Sequence, residues 1–290
     1  MHSKKNILIT GANGQVGREL VNQLILNELY TPVSFFRAGL DVTNELSIHS
    51  KIDSSVSLVV NCAAYTAVDL AQTEIQQNWM MNAIAPKQLA KRCHALNIPF
   101  IHYSSDYVYD NGTSSPLKET DPCNPKGEYA KAKFAGEQAA LYYHDQTIIL
   151  RTSWVYSKQG NNFVNTIKKL IAEKPELHVV HDQIGSPTYT PDLVNATIQM
   201  IDLILNHQDR KDISGIYNYS NKGAISWYDF AKEIASLTHS PCTINPVPTD
   251  AFPRPAPRPA YSVMDLTKIQ NTFGIQLIDW EKSLQSCLDG

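Results

Sequence analysis

Three glycines, Gly11, Gly14 and Gly17, follow a short apolar run at residues 6–10 and open a helical pattern at 15–26. No other feature restricts the fold of this chain so tightly. A strand that stops at a glycine turn and resumes as a helix leaves the first helical N–H groups facing whatever lies over the turn, an arrangement suited to phosphate. Gly11 permits the turn, Gly14 lets a pyrophosphate approach the backbone, and Gly17 allows close helix–strand packing. Asn13, Gln15 and Val16 fall in the same loop and belong with the same dinucleotide site.

Strand-like and helix-like segments continue to alternate through the first half. Apolar runs at 32–36, 57–61, 98–103 and 147–150 read as strands, and 15–26, 72–96 (interrupted at Pro86) and 126–144 as helices. Continuous Ile/Val/Leu runs suit strands buried on both faces, as in a parallel sheet covered by helices. The expected architecture is therefore α/β, a doubly wound Rossmann-type parallel sheet. After about residue 160 the rhythm changes, with helices expected at 161–173, 191–205, 226–238 and 279–288 and a proline-crowded extended stretch from Pro246 to Pro259. This predicts a cofactor domain over 1–160 and a smaller C-terminal substrate-binding lobe over 161–290, with later segments returning to the sheet.

A net charge of -3 gives no electrostatic footprint for nucleic acid or an anionic membrane. No apolar run reaches the ~20 residues of a membrane span, and residues 1–5 lead into the first strand without a secretory signal. The five cysteines are scattered and never spaced as Cys-x-x-Cys, so free thiols in a cytoplasmic protein are expected. His178 and His181 lie three apart in a strand-like segment, hence on opposite faces, and make no metal pair.

The chemistry is expected at Tyr129-Ala-Lys-Ala-Lys133, which places a phenol and an ammonium one helical turn apart. A nearby cation is expected to draw the phenol's pKa down from its usual ~10 toward the working range. Ser105, in Tyr103-Ser-Ser-Asp106 at the end of the fourth strand, can orient a substrate carbonyl beside Tyr129. Carboxyl ends of strands are where doubly wound sheets place ligands. Cofactor choice turns on the end of the second strand, where a carboxylate would bind the ribose hydroxyl of NAD and an arginine the phosphate of NADP. The chain reads Phe35-Phe36-Arg37 with no acid before Asp41, so NADPH is favoured over NADH.

The Gly-x-x-Gly-x-x-Gly spacing resembles the extended short-chain dehydrogenases/reductases. Ala64-Tyr-Thr-Ala-Val-Asp69, Ser104-Ser-Asp-Tyr-Val-Tyr109, Arg151-Thr-Ser-Trp-Val-Tyr156, Gly160-Asn-Asn-Phe163, Asp182-Gln-Ile-Gly-Ser-Pro-Thr188 and Ser226-Trp-Tyr-Asp229 bring it closer. Together these segments resemble the dTDP-4-dehydrorhamnose reductase family over nearly the whole chain. The resemblance implies that Ser105, Tyr129 and Lys133 reduce the 4-keto group of a dTDP-sugar; the family usually has threonine where Ser105 stands. It places Asp41 and Val42 near the adenine, and Ala63, Ala64 and Tyr65 along the cofactor. Thr66, Val68, Asp69, Asp106, Tyr107 and Trp154 would surround the sugar and nicotinamide, with Arg258 approaching the diphosphate. No metal site is carried over: of the glutamates that bridge subunits through magnesium in some relatives, only Glu19 has a counterpart. A homodimer is the assembly considered. Another 4-keto-6-deoxyhexose reductase, an epimerase and a non-catalytic NADP-binding regulatory subunit remain open as alternatives. The 4,6-dehydratases are disfavoured because Asp106 is followed by Tyr107 where they carry a second acid.

Overall fold

A computed structural model describes residues 4–207 and 209–289; the expectation for the leading segment thus falls partly, at residues 1–3, outside the described residues. In chain order the elements begin β1 (Lys5–Thr10), α1 (Gln15–Ile25), β2 (Tyr30–Ser34), α2 (Glu45–Lys51), β3 (Val56–Asn61), α3 (Ile75–Trp79) and α4 (Ala85–Leu96). They continue with β4 (Phe100–Ser105), α5 (Gly127–Tyr143), β5 (Thr147–Thr152), β6 (Val155–Tyr156), α6 (Phe163–Glu173), β7 (Glu176–Val180), β8 (Ile184–Gly185), β9 (Thr188–Tyr189) and α7 (Thr190–Asn206). The last are β10 (Gly215–Tyr219), β11 (Ile225–Ser226), α8 (Trp227–Leu237), β12 (Thr243–Val247), α9 (Thr267–Phe273) and α10 (Trp280–Leu288).

Six strands form one parallel sheet in the order β10-β5-β4-β3-β1-β2. Successive strand residues point to opposite faces, and both faces are dry. Ile7, Ile9, Leu58, Val60, Ile101 and Leu150 pack against α1 and α7 on one side. Leu8, Val59, Phe100 and Ile149 pack against α2, α4 and α5 on the other. Each such side chain contributes about 1.5–3 kcal/mol of burial. The sequence order reverses between β1 and β3, creating a crevice at their carboxyl ends. Pro32 is tolerated in β2 because that strand is an edge.

The expected helix over 72–96 is broken differently from the sequence reading. Pro86 does not interrupt it but occupies the first turn of α4, where its missing N–H costs nothing. The irregularity lies just before it, in a π-helical turn over Met80–Ile84. There Asn82 clamps the loop after β3, accepting from the Tyr65 N–H at 3.1 Å and donating to the Tyr65 carbonyl at 2.9 Å.

Residues after 160 serve both parts of the molecule. β10 completes the sheet beside β5, and α7 packs against α1. The smaller lobe has its own core, in which Ile167 and Ile171 of α6, Phe230 and Ile234 of α8, and Trp280 and Leu284 of α10 meet Leu177 and Val179 of β7. Two motifs noted in the sequence are helix caps. Asn162 accepts from the Asn165 N–H at 3.0 Å to start α6, and Ser226 accepts from the Asp229 N–H at 3.0 Å to start α8. All five cysteines are free. Among the described residues no helix is long and apolar enough to cross a membrane.

Candidate active site

The crevice at the sheet switch point is built by backbone packing. Gly11 has φ +63°, and a Cβ there would meet the Ala63 nitrogen at 2.6 Å. A Cβ on Gly17 would meet the Gly11 carbonyl oxygen at 2.4 Å, so α1 can only sit this close to the loop with glycine at that position. Gly14 is the N-cap of α1, with no side chain capping the helix and no acid in its first turn. Those free N–H groups and the positive end of the helix dipole fit a pyrophosphate. Gln15 anchors the turn to the smaller lobe, its Oε1 accepting from Ser157 Oγ at 2.7 Å and Asn162 Nδ2 at 2.9 Å.

Three cavities run in series across the carboxyl ends of the strands. The first, about 160 Å³, is lined by Gly11, Asn13, Gly14, Arg37, Asp41 and Val42. The second, about 450 Å³, contains Ser105, Asp106, Tyr107, Tyr129, Lys133 and Trp154. Gln15, Val16, Thr66 and Val68 also line the second, and Gly14, Ala63 and Ala64 belong to both, so the two adjoin. The third, about 470 Å³, lies against the smaller lobe and holds Asp69, Arg254 and Arg258; Tyr107 is common to it and the second.

In the central cavity, β4 delivers Ser105 and α5 delivers Tyr129 and Lys133. Ser105 Oγ donates to Asp106 Oδ1 at 3.0 Å and accepts from the Tyr107 N–H at 3.3 Å, which fixes the hydroxyl at the strand end. Burial pushes the Tyr129 phenol up to about 12 and the Ser105 hydroxyl only partly offsets this. This corrects the expectation that Lys133 draws it down: desolvation disfavours the phenolate, and the Lys133 Nζ donates to the Tyr103 carbonyl at 2.5 Å. The Tyr129 phenol is therefore held protonated. Lys133 itself is brought down to about 8 by burial, with Glu137 acting against the shift. Asp106 is pushed up to about 6 by burial, opposed by the Ser262 and Ser105 hydroxyls.

Beneath this layer, Thr10 Oγ1 and the Ala63 N–H both donate to Asn61 Oδ1, at 2.6 and 3.2 Å. That orientation leaves Asn61 Nδ2 to donate to His102 Nδ1 at 2.9 Å. The hydrogen bonds thereby tie the carboxyl ends of β1 and β3 to the middle of β4 as one buried polar strut.

Not every expected residue reaches a cavity wall. Tyr65 turns its hydroxyl to Glu74 Oε2 at 2.7 Å and lines neither cofactor cavity. The Asp41 carboxylate is taken up by the Thr43 N–H and hydroxyl, at 2.9 and 2.7 Å. Arg258 Nη2 sits 3.0 Å from Asp69 Oδ1, so these two face the third cavity as an ion pair. Trp154 lies flat on Trp227, with ring centroids 3.4 Å apart and planes 8° from parallel. Trp227, Phe163 and Arg254 in the third cavity and Asn61 in the second were missed as site residues. Phe163 and Trp227 lie in segments that carried the family resemblance and Arg254 in the proline-crowded stretch, while Asn61 was marked as a polar residue ending an apolar strand.

A parallel sheet with a glycine cradle at its switch point and a Ser–Tyr–Lys set beside it defines an extended short-chain dehydrogenase/reductase. The family model described as RmlD substrate binding domain matches residues 5–290. The chain is 39% identical over 287 residues to the dTDP-4-dehydrorhamnose reductase of Aggregatibacter actinomycetemcomitans, covering 97% of each chain. A solved dTDP-4-dehydrorhamnose reductase from Clostridium acetobutylicum is 38% identical and superimposes with a TM-score of 0.92 over 98% of both chains. The enzyme from Bacillus anthracis, solved in complex with NADP, is 35% identical with a TM-score of 0.91 over 99% of both. The chain belongs to the dTDP-4-dehydrorhamnose reductase family.

Proposed function

We propose that this protein reduces the 4-keto group of dTDP-4-dehydro-β-L-rhamnose to give dTDP-L-rhamnose, using NADPH. The observation that carries the reading is the series of joined cavities, with Ser105, Tyr129 and Lys133 at its centre. When bound, the nicotinamide would supply the hydride for sugar C4. Tyr129 donates its phenolic proton to the sugar O4 as charge develops there, and the Ser105 hydroxyl holds that oxygen in line. Lys133 would hold the nicotinamide ribose and add a positive charge to the same cavity. Arg37 lines the first cavity, where it would receive a 2′-phosphate, and the Asp41 carboxylate beside it is already engaged by Thr43. Trp154, Thr66, Val68, Asp106 and Tyr107 enclose the sugar. As a biosynthetic enzyme of a sugar nucleotide it would work in the cytoplasm, and sedimentation would test a homodimer.

Incubation of the purified protein with NADPH and the dTDP-keto sugar, followed by NMR of the product, tests the reading. dTDP-L-rhamnose supports it. The opposite C4 configuration would make the enzyme a reductase for another 6-deoxyhexose, and absence of turnover would favour a regulatory subunit.

Arg258 carries a separable expectation. Guanidinium matches diphosphate geometry, and Arg254 adds a second charge to the same cavity. Arg258→Ala should raise KM for the sugar nucleotide roughly tenfold or more, as expected for a lost charged hydrogen bond of ~1.5–3 kcal/mol, while KM for NADPH stays unchanged. An unchanged sugar-nucleotide KM would confine Arg258 to its pairing with Asp69.

A pH profile should separate activity from stability. Lys133 titrates near 8 in the folded chain against its ordinary 10.5. Activity that needs the ammonium should fall above about pH 8 in kcat/KM for NADPH, which reports the free enzyme. Stability should move oppositely. Between those two values the unfolded chain binds more protons, so the burial penalty, full below pH 8, is relieved as pH rises. A kcat/KM that stays flat to pH 10.5 would rule out a required Lys133 charge.

A further inference from the structure

The far end of α5 carries a cluster that the reductase chemistry does not use. His94 lies in the last turn of α4, His144 caps the C-terminus of α5, and Asp145 follows it. One potential ligand atom from each lies within 4.8 Å of the others. His144 is 1% exposed, and its Nε2 lies 2.8 Å from the Ile98 carbonyl. A carbonyl can only accept, so Nε2 carries the proton and Nδ1 presents a lone pair. That Nδ1 is buried with no hydrogen-bond partner, faces Asp145 Oδ1 at 3.9 Å, and lies beside the His94 ring, whose centroid is 5.7 Å from its own.

We propose that His94, His144 and Asp145 bind a divalent transition-metal ion of the zinc class. An imidazole whose second nitrogen donates to a backbone carbonyl is held in the tautomer and orientation that metal ligation requires. Two imidazoles and a carboxylate suit zinc, with solvent free to complete the shell on the exposed side of His94 and Asp145. Tetrahedral ligands at ~2.0–2.2 Å from a metal lie roughly 3.3–3.6 Å apart. The exposed side chains of His94 and Asp145 need only small rotations to close that distance. The charge environment agrees, because α4 and α5 both end here and their C-terminal carbonyls favour a cation. Lys211 opposes it, but its Nζ occupies the other carboxylate oxygen, Oδ2, at 2.7 Å.

Tyr129 and His144 are separated by roughly 22 Å of helix at 1.5 Å per residue, so the ion fastens α4 to α5 without touching the reaction. Untagged full-length protein, stripped with chelator, should be titrated with Zn²⁺ by calorimetry and with Co²⁺ by absorption. One equivalent per chain, micromolar affinity, tetrahedral cobalt bands and a raised Tm are expected. His94→Ala and Asp145→Ala should each weaken binding at least about tenfold, the scale seen when a metal site loses even an outer contact, with reductase turnover unchanged. Lys211→Ala should tighten it. Absence of micromolar binding, or binding that survives both ligand substitutions, overturns the proposal. His144 itself is spared because its burial makes a folding defect the simpler outcome of its replacement.

Discussion

Tyr129→Phe should lower turnover by roughly 10²–10⁴-fold, the range for loss of a positioned general acid, with the NADPH Kd unchanged. The substitution keeps the ring and its edge-on contact with Tyr107, at 5.7 Å between centroids, and removes only the proton. Its effect should be large because the site does not prepare a phenolate. Burial holds the phenol protonated up to about 12, so the proton leaves only when an alkoxide forms close by. Steady-state kinetics with a direct cofactor-binding assay would check this. Turnover above about a tenth of wild type would take the donor role from Tyr129.

Arg151→Met is expected to have the largest effect on stability. Arg151 and Glu137 are 1% and 0% exposed, bonded Nη2 to Oε2 at 2.6 Å and Nε to Oε1 at 3.0 Å. The guanidinium also lies 4.5 Å from the Tyr109 ring centre. Removing one partner strands a buried charge and should cost about 3–5 kcal/mol, lowering Tm by roughly 10 °C. Replacing both, with Glu137→Leu added, should recover most of the loss. Urea denaturation of the three proteins gives the answer from the midpoint at constant m. A single-variant cost below about 1 kcal/mol would mean that water reaches the pair. Glu137 also supports the charge on Lys133, so its replacement should bring the fall in activity to lower pH.

The sheet was legible because dry strands leave apolar runs, and the cofactor crevice because glycine leaves its mark wherever backbones crowd. That Ser105, Tyr129 and Lys133 would meet at one cavity was legible from residue type and position. Other parts left no local trace. Arg151 opens one of the segments that carry the family resemblance, but nothing near it points to its partner, Glu137, which sits on another element. The Trp154–Trp227 stack joins residues of different lobes. The direction of the Tyr129 shift was misread because helical spacing shows that Lys133 is near, whereas burial and the competing Tyr103 carbonyl depend on the assembled sheet.

The place of β10 has a consequence during synthesis. β5 is completed at Thr152, yet its neighbour on that side ends only at Tyr219. At ~5–20 residues per second, the ribosome needs roughly 3–13 s to supply that stretch. For that interval a nearly finished sheet has an open parallel edge, including Ile148, Ile149 and Leu150, which the native state keeps dry. Such an edge is a template for strands of other chains. The nascent protein should thus be most prone to aggregate after α5 has emerged and before its last sheet strand has, which is the window in which a chaperone would matter most.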